Sequence, residues 1–160
     1  MNKTKGDAEF MKIALAEARK ASGRGEVPVG AVVVRDGVIV GRGRNRPIST
    51  KDPTAHAEVA AIRAAARRLA NYRLTGCDLY VTLEPCAMCL GAVVQARIRR
   101  LIYGASDPKS GAVRSIMRFP FVKLNHRPAV SAGVMADECG EVLKEFFRKR
   151  RSEARVARRP

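Results

Sequence analysis

Short β-branched runs alternating with helical-period stripes predict an α/β domain, one sheet covered by helices on both faces. Two further observations agree. Gly, Pro and Asp punctuate the chain between those segments, as at Asp36-Gly37, Asp52-Pro53 and Glu84-Pro85. At 160 residues with a hydrophobic fraction of 46%, the chain is long enough for one sizeable core, so residues 1–160 read as a single domain.

The elements follow in order. Phe10, Ala14, Ala18 and Ala21 form a stripe that predicts a helix over about Asp7–Ala21, ended by Ser22-Gly23-Arg24-Gly25. Val29–Arg35 and Val38–Arg42 read as strands joined by the tight-turn pair Asp36-Gly37. A polar loop through Asn45-Arg46-Pro47 leads to a helix over about Thr54–Ala70, with Val59, Ile62, Ala66 and Leu69 inward and Arg63 and Arg67 outward. Asp78–Leu83 is a strand, Glu84-Pro85 breaks it, and a third helix runs to about Arg97. Arg100–Gly104 is a fourth strand, and 105–127 reads as a loop with a short helix. Ala129–Ser131 is a brief strand before a last helix over about Ala136–Arg151, with Cys139, Leu143 and Phe147 on one face.

Composition narrows the function. No apolar run is long enough to span a bilayer, and Met1–Asp7 has no apolar core of the kind secretion signals carry. Four cysteines in so long a chain fit a reducing compartment better than a disulfide scaffold, so the expected location is cytoplasmic. Lys and Arg number 31 against 15 Asp and Glu, a net charge of +16 at pH 7. That excess favours a polyanionic partner, because neutralising phosphates releases counterions.

The chemistry concentrates at four residues. His56 and Glu58 form His-x-Glu, and Cys86 and Cys89 follow thirty residues on in Pro-Cys-x-x-Cys. One imidazole and two thiolates are a three-ligand zinc set with the fourth position open to water. Pro85 suits an early helical position, which places Cys86 and Cys89 on one face of a first turn where thiolate is favoured. His56 falls in the first turn of the preceding helix. Residues two apart on a helix do not face each other, so His56 reads as ligand and Glu58 as a group reaching the water. A structural zinc needs a fourth ligand, for which Cys77, Cys139 and His126 are the residue types available; a redox Cys-x-x-Cys leaves His-x-Glu idle.

The combined signature is that of zinc nucleobase deaminases. Glu26–Ala31, Asn45-Arg46-Pro47, Asp52–Glu58, Asn71–Leu74, Leu79–Cys86, Tyr103–Ala105, Asn125-His126-Arg127 and Phe146–Arg151 extend it. Over about residues 8–151 the chain resembles the bacterial tRNA-specific adenosine deaminase family, within the cytidine/deoxycytidylate deaminase superfamily. The resemblance implies a cytidine-deaminase-like three-layer α/β/α fold with a mixed five-stranded sheet, assembled as a homodimer. It implies hydrolytic deamination of adenosine to inosine at the wobble position of a tRNA anticodon. His56, Cys86 and Cys89 would hold one Zn2+ per subunit, and Glu58 would move a proton from water to the ring nitrogen and then to the leaving amine. Asn45 resembles the family's base-contacting asparagine, Val29 a pocket-lining residue, and Asp107 a residue meeting RNA backbone beside the target. The implied partners are the tRNA anticodon stem-loop and a second copy of the chain, with no membrane and no nucleotide cofactor.

One segment departs from the family's pattern. After Gly111 the family usually has small residues, whereas this chain has Ala112–Phe121 with Arg114 and Arg118. The C-terminal stretch is Arg-rich: Arg148, Lys149 and Arg150 read as RNA contacts, and about 152–160 as a disordered basic tail. Two other readings compete: a deaminase of free guanine or cytidine on the same scaffold, and a noncatalytic zinc-stabilised RNA-binding module. A small neutral substrate gives no reason for +16, and a structural site has no use for Glu58.

Overall fold

The computed structural model describes residues 3–160. The helices are α1 (Lys3–Ser22), α2 (Pro47–Thr50), α3 (Ala57–Leu69), α4 (Ala87–Ala96) and α5 (Ala136–Ala157). The strands are β1 (Gly30–Arg35), β2 (Val38–Arg44), β3 (Cys77–Leu83), β4 (Arg100–Ala105) and β5 (Ala129–Ser131). They form one mixed five-stranded sheet in the order β2-β1-β3-β4-β5, antiparallel at β1/β2 and β1/β3 and parallel at β3/β4 and β4/β5. The expected three-layer α/β/α architecture is the one observed.

Strand alternation splits the core in two. Ala31, Val33, Leu79, Val81, Leu101 and Tyr103 face α3 and α4, while Val32, Val34, Tyr80 and Ile102 face α1 and α5. Each helical layer thus has its own apolar seam.

The inward face of α3 differs from the sequence reading. Ala57, Ala61 and Ala65 are fully buried, and Ile62, Ala66 and Leu69 flank them half-buried. The cause lies on β2: a Cβ on Gly41 would collide with Ala61 O and Ala65 N, and one on Gly43 with Ala57 O and Ala61 N. Without side chains there, the helix backbone settles directly on the strand, and only alanine fits the seam. Gly43→Ala is expected to destabilise the protein by at least ~1–3 kcal/mol, the usual cost of overpacking. The helical Gly91, with nothing near its Cβ position, is the control: Gly91→Ala should raise stability by roughly 0.5–1 kcal/mol. Urea unfolding of both variants checks the pair, and equal shifts would contradict the seam.

At the start of β3 and β4 an ionic network ties α1 to the sheet. Tyr80 donates its hydroxyl to Asp7 (2.7 Å), Arg100 bridges Asp7 (2.9 Å) and Asp78 (3.2 Å), and Arg99 forks onto Asp78 with two 2.9 Å bonds. The other end of these strands is left to the site.

Two boundaries and one helix face differ from expectation. The sequence reads 45–53 as loop, but Pro47–Thr50 winds into one turn, started by proline and tied by the Thr50 hydroxyl to Arg46 O (2.6 Å). The last helix does not stop at Arg151: α5 continues to Ala157 through exposed residues. Glu153, Ala154 and Arg155 are good helix formers, and no breaker intervenes before Pro160. Within α5, Phe146 is buried beside Cys139's face, whereas Phe147 is 44% exposed. Positions 139 and 146 are seven apart and share a stripe; Phe147 is turned off it. No helix among the described residues is long and apolar enough to cross a membrane.

Candidate active site

The sheet topology collects the site at one end. Because β1 runs antiparallel to β3, its entry at Val29-Gly30 lies beside β3's exit; the Gly30 N–H donates to the Thr82 hydroxyl (3.2 Å). Gly30 also pairs with Arg44, which brings the end of β2 and Asn45 to the same edge. The exits of the parallel strands β3 and β4 supply 83–86 and 105–107, where open α/β sheets place their ligands.

Two helix N-termini converge there. His56 is the N-cap of α3 and Cys86 that of α4, both with extended backbone (φ −79, ψ 153 and φ −78, ψ 172). The sequence reading placed both inside first turns. The shift matters chemically, because a non-helical cap residue is released from helical side-chain directions. His56 and Glu58 therefore reach one cleft despite standing two apart. Cys86 at the N-cap and Cys89 at the third helical position approach each other as a capping-box pair does.

The distances fit a tetrahedral metal. His56 Nδ1 stands 3.7 Å from Cys86 Sγ and 3.5 Å from Cys89 Sγ, and the three ligand atoms lie within 4.8 Å of one another. Bonds of about 2.0–2.1 Å to nitrogen and about 2.3 Å to sulfur at tetrahedral angles leave N···S edges of about 3.6 Å. Both N···S separations thus match the edges of a zinc-sized tetrahedron. Cys77 and Cys139 are buried free thiols away from this group. His126 is not without a partner as its sequence context suggests: its Nε2 meets the Ile98 carbonyl at 2.6 Å and helps tie the 121–128 loop to the end of α4.

Electrostatics sort the site's groups. A hydrogen bond from Cys89 and another with His56 hold the Cys86 thiol down at about 4, so it is thiolate. Cys89, donating to that thiolate and buried, is pushed up. The hydrogen bond with Cys86 raises the His56 pKa. Burial pushes the Glu58 carboxyl above its ordinary value, as befits a group that both takes and gives a proton near neutral pH.

A cleft of about 270 Å³ joins these groups to Val29, Asn45, Pro47, Leu83 and Asp107. Cys89 lies buried beneath it. Asn45 Oδ1 accepts the Ala57 N–H (2.9 Å) and so anchors the N-terminus of α3. Asp107 caps its own loop, its carboxylate accepting the N–H groups of Lys109 (3.0 Å) and Ser110 (3.3 Å). Arg148 lines an adjoining groove between α5 and 106–110, while Lys149 is exposed outside it. Arg150 folds back rather than projecting: its guanidinium covers the Phe146 ring (5.0 Å) and donates to Gly25 O. It thereby steadies the 23–26 turn while staying exposed.

Two buried carboxylates escaped the sequence reading. Glu26 accepts the N–H groups of Ile48 (3.1 Å) and Ser49 (3.0 Å), holding the lip that carries Pro47. Glu84 accepts N–H groups from Asp107 (3.2 Å), Val113 (3.1 Å), Arg114 (3.0 Å) and Ser115 (3.1 Å), and the Ser115 hydroxyl. Gly111 leaves the space this carboxylate fills. Burial pushes both carboxyls up, but the converging donors outweigh it and hold them below their ordinary values. Each lip of the cleft is thus fastened by one carboxylate, and Glu84 fastens the atypical 112–121 segment at its root.

The comparisons settle the family. The sequence profile of the MafB19-like deaminases matches residues 5–151. The chain belongs to this deaminase family. The tRNA-specific adenosine deaminase of Haemophilus influenzae is 51% identical over 154 residues, covering 94% of this chain and 88% of that protein. A structure solved in biochemical and structural studies of A-to-I editing by tRNA:A34 deaminases superposes with a TM-score of 0.80 at 52% identity, over 84% of this chain and 99% of that one. The guanine deaminase of Nitrosomonas europaea superposes at 0.75 with 25% identity, over 87% and 83%. The deaminase thus shares its scaffold with both substrate classes and much more of its sequence with the first.

Proposed function

We propose that this deaminase converts the wobble adenosine of a tRNA anticodon to inosine, with one zinc ion held by His56, Cys86 and Cys89. The observation that carries the chemistry is the zinc-sized triangle of donors, with a buried carboxylate beside it in a base-sized cleft. The 52% identity to an A34 deaminase structure supports the substrate. The charge supports it too, because Asp7, Glu17, Glu26, Glu58, Asp78 and Glu84 are all buried while no Lys or Arg is, among the described side chains. The surface is therefore more basic than the composition alone conveys.

When bound, the metal supplies a Lewis-acid centre at its open fourth position that makes water a competent nucleophile near pH 7. The chain does the rest. Val27, Val29 and Leu83 form apolar walls against the base, and Asn45, fixed by Ala57, presents its amide to the base edge. Glu58 accepts a proton from the water that bonds to C6 and delivers it to the ring nitrogen, then carries the second proton of that oxygen to the amino group, so that the C6–N bond breaks, ammonia leaves and a carbonyl remains at C6. Asp107, Arg148 and Lys149 face the flanking RNA. The protein acts in the cytoplasm as a homodimer, the arrangement its family resemblance implies.

The test is incubation of zinc-loaded protein with a tRNA anticodon stem-loop, free adenosine, guanine and cytidine. Inosine in the stem-loop alone is the expected result. Turnover of free guanine or cytidine would transfer the deaminase to the small-molecule class.

A further inference from the structure

The catalytic cleft has basic ground on two sides. On the α5 side lies the groove lined by Lys109, Lys144, Arg148 and Arg151. A second concavity of about 460 Å³ shares no lining residue with the cleft but adjoins it through consecutive residues: Asn45 lines one and Arg46 the other. Five arginines from three elements converge on it, Arg42 and Arg44 from β2, Arg46 from the loop, and Arg63 and Arg67 from α3.

Their positive charge is only partly balanced within the fold, five arginines against two acids. The acids in the concavity are Glu17 and Asp52. Glu17 is taken up by Lys20 (3.0 Å) and Arg44 (3.4 Å), and Asp52 accepts the Thr54 N–H (2.8 Å) and hydroxyl (2.7 Å). Among the described residues, Arg42, Arg46, Arg63 and Arg67 make no salt bridge. The buried Arg44 Nε has no hydrogen-bond partner. Like charges crowd here instead of dispersing, a costly arrangement for an isolated surface and a suitable one for a row of phosphates.

We propose that this arginine concavity is a second backbone-binding surface, taking the phosphodiester chain of the RNA on the side of the target base opposite α5. It rests on the RNA reading of the active site. A nucleotide strand whose target base enters the cleft leaves it over Arg46 and meets Arg44 and Arg42 on one wall and Arg63 and Arg67 on the other. The pocket is then bracketed, with one flank of the target held by the α5 groove and the other by this concavity. Recognition is of phosphate and not of sequence, since guanidinium groups with no fixed partners read charge. The flat chemistry of the lining, alanines between arginines, offers no base-stacking platform.

The experiment is charge reversal of two exposed members, Arg42→Glu with Arg67→Glu, in the zinc-loaded full chain. The control is an equal reversal on the opposite layer, Lys12→Glu with Arg19→Glu on α1, both exposed. Binding of an anticodon stem-loop is followed by anisotropy over a salt series, and deamination of the same RNA gives KM and kcat. The R42E/R67E protein should bind on the order of tenfold more weakly at physiological salt, with the log–log salt slope reduced by about 1.4–1.8. KM should rise with kcat unchanged, and the control should keep a nearly wild-type slope. Equal losses in both proteins would reduce the concavity to a share of the general field and overturn the proposal. So would an unchanged slope, including one accompanied by a changed molecular mass, which would make the surface an interface between copies. Arg42→Gln with Arg67→Gln, which removes the same two contacts and adds no acid, guards against misfolding and should show the same reduction in slope with a smaller loss of affinity. Because the binding slope needs no turnover, a wild-type protein that fails to make inosine would sink the functional reading while leaving this one separately measurable.

Discussion

Glu58→Ala should leave the fold and the zinc content unchanged while turnover of an anticodon stem-loop falls by at least ~10²–10⁴, the usual contribution of a positioned acid–base group. The size of the loss follows from its place in the structure. Glu58 is 4% exposed, stands at the second position of α3, and lines the cleft beside the ligand triangle. No other carboxyl group in that lining is free to replace it: Glu84 is consumed by backbone donors and Asp107 by its own turn. Since burying a carboxylate opposes folding, the variant should melt at the same temperature or higher. Metal analysis and single-turnover deamination check both halves together. Activity within about tenfold of wild type would remove Glu58 from the proton path, and loss of zinc would show it to be a support for the ligands.

Glu84→Gln is expected to have the largest effect of any substitution outside the metal group and Glu58. The amide keeps one acceptor oxygen but turns an NH2 toward donors that Glu84 now satisfies, so stability should fall by roughly 2–4 kcal/mol. The lip carrying Asp107 and Ser110 loosens, so KM for RNA rises more than kcat falls. The pH dependence identifies the cause. The folded Glu84 pKa lies below its ordinary 4.5, so its contribution is complete above the unfolded value and is lost as pH falls through the folded one. The stability gap between wild type and E84Q should therefore be wide at pH 7 and close as the medium is acidified below pH 4.5. A gap that stays constant down that limb would mean the carboxylate charge is not what holds the 107–115 loop.

Much of this was legible along the chain because it is local. Strand positions came through where β-branched residues cluster or a turn signal intervenes: Val38–Arg44 follows the Asp36-Gly37 turn where the pattern puts it. Asp36 and Gly37 both adopt left-handed backbone, φ 51 and 76, as such a turn requires. The metal set was legible because ligand chemistry is written in residue type and short spacing. What misled were judgements of size and projection. Bulk suggested Val59 at the inner face of α3, yet the glycines of β2 select the alanines for its centre and Val59 lines an outer concavity. Charge marks Arg150 as basic surface but does not foretell how it is held, its guanidinium lying over the Phe146 ring and donating to Gly25 O.

The sequence by itself determined the family and the layered α/β class, and it named the four candidate residues of the chemistry, all carried by local period and residue type. The tertiary structure alone decided that His56 and Cys86 are caps, that Glu26 and Glu84 clamp the two lips, and that five arginines share a concavity. These rest on backbone groups far apart in the chain; Glu84 reaches donors 23 to 31 residues downstream. A hydrogen bond of that span leaves no periodic trace, because its partners meet only after the sheet has set the register between β3 and β4.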